Sequence, residues 1–131
     1  MIALGSRRGS VAIEYAFILP ALLLFVLGIM DTGRLIWTYT TLNRAAEAAA
    51  RCAAVDIVIC GTSAAIRNYA VTQAYGLNIA NTAFTASTAV CGSHVAATYT
   101  FQFTIPWIGG APYGSSNSIT LAATACYPPS Q

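Results

Sequence analysis

Residues Val11 to Met30 form a run of 20 that is apolar apart from Glu14 and Tyr15. A helix rises ~1.5 Å per residue, so this run reaches about 30 Å, the hydrocarbon thickness of a bilayer. Pro20 and Gly28 weaken a helix in water but are tolerated in a membrane span. The run therefore predicts one membrane-spanning helix over residues 10–31. Glu14 is the anomaly inside it. A carboxylate in a span costs roughly 2.5–3.5 kcal/mol on insertion scales, so it marks a functional position.

Arg7 and Arg8 precede the run, and the far flank carries the mixed pair Asp31 and Arg34. The positive-inside rule then puts the N-terminus in the cytoplasm and the residues after the run outside. A secretory signal peptide also begins basic and continues apolar, but it ends in small residues at a cleavage site. Asp31-Thr32-Gly33-Arg34 supplies no such site.

Of the 131 residues, about 80 remain to fold beyond the first long helix. A domain that small has a marginal core unless something staples it. The chain has six arginines, no lysine and four acids, and no charged residue follows Arg67. Scattered charge of this kind is no nucleic-acid footprint. Acid–base chemistry in the C-terminal half would rest on His94, tyrosines or cysteines, which predicts a protein that is not an enzyme and holds no cofactor. Cys52, Cys60, Cys91 and Cys126 are spaced C-x7-C-x30-C-x34-C, with no C-x-x-C knuckle for zinc. No metal site is expected. An even count in a small domain outside the cytoplasm reads as disulfides, with four separate buried thiols as the alternative.

Helical pattern continues through residues 32–54. Leu35, Tyr39, Leu42, Ala46, Ala49 and Ala53 form an apolar stripe at helical spacing, and no Gly or Pro interrupts Leu35 to Val55. Arg44 with Glu47 and Glu47 with Arg51 are spaced as side-chain pairs on the solvated face. A second helix is expected over 62–75, capped by Thr62 or Ser63 and stopped by Gly76. Strands follow at about 82–91, 94–105 and 118–127. In the middle one, Val95, Ala97, Tyr99, Phe101, Phe103 and Ile105 alternate with polar or small residues. The expected architecture is α+β: a long N-terminal helix extending into a small domain with a second helix and a three-stranded antiparallel meander.

Cys52 and Cys60 bracket the turn between the helices, so they are expected to pair. Cys91 and Cys126 end the outer strands at one end of the sheet. Outer strands lie about 9–10 Å apart, so that bridge requires one cysteine beyond the paired region. The other two connectivities rank behind this one. His94 reads as a solvated loop residue. Pro106 to Tyr113 is a loop rich in large apolar groups, in which Trp107 and Tyr113 serve either as a core lid or as a contact with another subunit.

Gly9 followed by Ser10-Val11-Ala12-Ile13-Glu14-Tyr15 resembles the processing motif of Tad-type (type IVc, Flp) pilins and their TadE-like pseudopilins. The resemblance runs on through Pro20, Gly28, Asp31, Gly33-Arg34-Leu35, Leu42 and the Ala/Arg stretch to Ala54. It implies that a prepilin peptidase cuts between Gly9 and Ser10, removing residues 1–9 as a leader. Glu14 and Tyr15 become the fifth and sixth residues of the mature chain and serve subunit assembly. The implied partners are the membrane, the peptidase, other pilin and pseudopilin subunits and the Tad assembly platform. The implied location is the inner membrane, with residues 32–131 exported to the periplasmic or extracellular side. A major pilin of this class is shorter and TadG-like members are longer, which points to a minor subunit of a pilus used for adherence or secretion.

Cleavage gives Glu14 a physical role. It creates an α-amino group on Ser10, cationic near neutral pH with an ordinary pKa of about 7.7–8.0. Pairing Glu14 with the amine of a neighbouring subunit offsets the cost of both charges in hydrocarbon and sets the axial register between helices. The competing reading is a single-span, membrane-anchored envelope binding protein that does not polymerise.

Overall fold

The computed structural model describes residues 8–104 and 117–129. Its spine is one helix, α1 (Arg8–Val55), of 48 residues. At ~1.5 Å per residue it is about 72 Å long, roughly twice a bilayer's apolar thickness. The segments expected at 10–31 and 32–54 are thus one element, beginning at Arg8, so that Gly9 and Ser10 lie in its first turn. The rest of the expected leader, residues 1–7, lies outside the described residues.

A one-turn helix, α2 (Ile57–Cys60), follows at once and was not expected from the sequence. It exists because Asp56 caps it, its carboxylate accepting from the backbone of Val58 and Ile59 at 3.0 Å each. Next comes α3 (Ser63–Gln73), capped by the Thr62 hydroxyl, which accepts from Ala65 N at 3.2 Å. It ends two residues short of the expected 75, closed by Ala74 N–H donating to Ala70 and Val71. Gly76, at φ +76°, then turns the chain away.

A 3₁₀ turn (Asn81–Ala83) leads into β1 (Phe84–Ala89), β2 (Gly92–Gln102) and β3 (Ser118–Tyr127). The sheet order is β1-β2-β3, and both pairings are antiparallel. The first two strands are displaced from their expected limits. The β1–β2 turn falls at Val90-Cys91, not at Gly92-Ser93-His94, because Ala89 already pairs with Gly92. Gly92 has φ +116°, and a Cβ there would stand 2.2 Å from the Tyr127 carbonyl oxygen, so both conformation and crowding select glycine. The end of the expected second strand at Ile105 and the loop holding Trp107 and Tyr113 lie outside the described residues.

The core lies between the C-terminal half of α1, α3 and one face of the sheet. Ala45, Ala46, Ala49 and Ala50 are fully buried with Leu42 and Ala70. Residues this small let helix and sheet approach closely. From the sheet come Phe84, Val95, Ala97, Phe101, Leu121 and Ala123. One member of the expected α1 stripe differs: Tyr39 is 47% exposed. In place of Tyr39, Thr38 and Thr41 are buried; the Thr38 hydroxyl donates to the Arg34 carbonyl at 2.8 Å, which removes the cost of burying it.

Candidate functional site

The apolar stretch of α1 is not buried against the rest of the fold among the described residues. From Ile13 to Met30 its large apolar side chains are 42–78% exposed on every side of the helix. A helix that is apolar all round requires apolar surroundings. By length and composition this one can cross a membrane, which supports single-pass anchoring. Glu14 and Tyr15 lie among these exposed residues. Glu14 makes no hydrogen bond or ion pair within the chain among the described residues. Its carboxylate is one helical turn from Ser10 in sequence and open to a neighbour.

Where the apolar run ends, the structure holds a polar cluster that the sequence did not disclose. Asp31 is 2% exposed although it flanks the run. One carboxylate oxygen accepts from Thr104 N at 2.8 Å, and the other accepts from Arg34 Nη1 at 3.0 Å. Arg34 Nη1 also donates to the Thr104 hydroxyl at 2.8 Å, and its guanidinium lies 5.4 Å from the centre of the Phe101 ring. Helix and sheet are thereby latched at the residue where the span stops. The only sequence trace of this was the Asp-x-x-Arg spacing; Thr104 carried no signal.

Arg44, Glu47 and Arg51 lie on the solvated face of α1, as expected. Among the described residues the Arg34–Asp31 contact is the only ion pair. The expected 44–47 and 47–51 pairs are not formed, since solvation of these exposed groups competes with a bridge worth only tenths of a kcal/mol.

Two disulfides brace the domain at the end far from the apolar run. Cys52–Cys60, with Cα atoms 5.8 Å apart, closes the α1–α2 turn. Cys91–Cys126, at 6.2 Å, joins the outer strands. The second is feasible because Cys91 sits in the hairpin turn, beyond the β1–β2 pairing. His94 is not in a loop but within β2, half-buried, opposite Ser87 and Cys126. It lies beside the disulfide, and no group of His, Cys, Asp and Glu fit for a metal occurs among the described residues.

Residues 9–51, about a third of the chain, match the family described as TadE-like protein. The match covers Glu14, Tyr15, Asp31 and Arg34 and stops one residue before Cys52; α3 and the sheet lie outside it. No curated protein and no solved structure matches the chain.

Proposed function

We propose that this chain, TadE-like over residues 9–51, is a minor pilin or pseudopilin of a Tad-type pilus, with a structural rather than catalytic role. It inserts in the inner membrane with its N-terminus inward and exports the α3–sheet domain. A prepilin peptidase cuts between Gly9 and Ser10. The Ser10 amine of one subunit then meets Glu14 of the next, and the Tad assembly platform adds the subunit to a filament used for adherence or secretion.

One observation carries this reading. Among the described residues Glu14 has no partner within the chain, and it stands on a helix whose large apolar side chains from Ile13 to Met30 are exposed, within the TadE-like segment. A lone anchor has no use for a costly carboxylate at that place, whereas a bundle of such helices does. Two disulfides in the C-terminal domain accord with export to an oxidising compartment.

Glu14→Gln tests the reading. The variant should insert in the membrane at the level of the unaltered chain yet fail to enter sheared pilus fractions or cross-linked subunit complexes. Incorporation at the unaltered level would contradict it.

A further inference from the structure

The outward face of α1 stays apolar past the point where the run ends in sequence. At ~100° per residue, Ile29, Gly33, Ile36 and Trp37 all fall within about 60° of the direction opposite Asp31. Asp31 itself is buried on the side that faces the sheet, so its carboxylate does not break that surface. Ile36 and Trp37 are exposed, Trp37 at 62%, and they continue the bare apolar face of the span. One turn further the same face becomes polar, with Thr40, then Arg44, Glu47 and Arg51, all exposed. On this face the change from apolar to polar therefore lies between Trp37 and Thr40, not at Asp31.

Height decides what covers the added stretch. Trp37 is seven residues beyond Met30, about 10 Å along the helix. The headgroup and glycerol layer on each side of the hydrocarbon is about 5–7 Å thick. Aromatic side chains on a helix point back over the preceding turn, which lowers the indole by about 5 Å. Gly33 lies in that turn and puts no side chain under the ring. The indole thus stands about 5 Å beyond Met30, inside the layer.

A second aromatic joins it from another element. Tyr75 follows the end of α3 and is 69% exposed. Its neighbour Gly76 stands against Trp37, where an added Cβ would be 3.9 Å from the indole Nε1. Among the described residues neither the indole N–H nor the Tyr75 hydroxyl has a hydrogen bond within the chain. Rings with an apolar body and a free donor settle at a membrane interface, where the donor meets lipid ester or phosphate oxygens.

We infer that Ile36, Trp37 and Tyr75 form a membrane-contact surface, seated in the headgroup and glycerol layer of the leaflet through which α1 leaves the bilayer. The occupant is phospholipid, because the surface continues the face by which α1 meets the bilayer and lies at the depth of that layer. The base of the domain rests on the membrane through it. Together with the Asp31–Thr104 bond, the contact fixes the domain's orientation on the membrane as well as its height. The inference rests on insertion of α1, which recovery of the chain in lipid discs measures by itself, and not on polymerisation or on processing at Gly9.

The test uses the full chain, one copy per phosphatidylcholine nanodisc. The chain has two tryptophans, Trp37 and Trp107, so Trp107→Phe leaves Trp37 as the sole reporter. Its emission should be blue-shifted. Lipid brominated near the carbonyl end of the acyl chain should quench it about twofold or more, and more strongly than lipid brominated near the methyl end. Tyr75→Trp, with both native tryptophans replaced by Phe, should be quenched alike. Moving the reporter two turns outward, with Trp37→Phe and Arg44→Trp, should abolish the quenching. Fluorotryptophan in the otherwise unaltered chain gives a readout that does not depend on Trp107→Phe. The fluorine resonance missing from Trp37→Phe should be broadened by lipid carrying a nitroxide on its headgroup. Trp37 emission at the wavelength of water-exposed indole would overturn the inference. Blue-shifted emission that brominated lipid leaves unchanged would overturn it too, assigning the ring to a protein contact, and so would equal quenching at positions 37 and 44.

Discussion

Asp31 and Thr104 are 73 positions apart, and the Asp31 carboxylate accepts from the Thr104 backbone N–H at 2.8 Å. One residue closes the apolar run and the other follows the end of β2, so the bond fixes the height of the sheet above the span. A domain latched in this way moves with its anchor instead of swinging on it.

Removing the acceptor should be costly. Asp31→Ala leaves the Thr104 N–H without its partner and is expected to lower stability by about 1.5–3 kcal/mol, the range for hydrogen bonds to charged groups. Asp31→Asn, which can still accept, should lose less. Arg34→Ala should lose less again, since its side chain is 58% exposed and solvent replaces much of the pairing. Urea unfolding of the detergent-solubilised chain gives the order.

The two disulfides should differ in worth. They close sequence separations of 8 and 35 residues. Loop entropy then assigns about 2.5 kcal/mol to Cys52–Cys60 and about 4 kcal/mol to Cys91–Cys126. Replacing both members of each pair by serine and comparing unfolding midpoints checks this. The Cys91/Cys126 variant should be the less stable.

Gly92→Ala should destabilise the hairpin by about 2 kcal/mol or more. It combines a disfavoured positive φ with a Cβ 2.2 Å from the Tyr127 oxygen. Thermal melts of this variant beside Gly33→Ala, where a Cβ meets open space, separate crowding from a general glycine effect.

Patterns carried by neighbouring residues were legible in the sequence. Strict alternation from Val95 to Phe101 identified the core face of β2, and the break-free stretch from Leu35 to Val55 identified the helix. Hydrophobicity alone chose Tyr39 over Thr38, because it does not count the hydroxyl bond to the Arg34 carbonyl that makes Thr38 fit to bury. Gly92 drew the turn two residues late, since its role lies at the end of the turn and not in its middle. Asp56 stood in front of α2 unread, because a four-residue helix has no periodicity to detect. Glu14 could be found from its sequence alone, as a charge in an apolar run. The Asp31 latch could not, because its partner lies across the fold.

The proposed pairing of Glu14 with Ser10 of a neighbouring subunit requires that the Ser10 amine exist. The most direct measurement is mass spectrometry of the chain recovered from membranes that contain an active prepilin peptidase. A mature chain beginning at Ser10, shorter by residues 1–9, is expected, and it should be absent when Gly9 is replaced by a bulky residue. An intact chain beginning at Met1 in the presence of the active peptidase would contradict it.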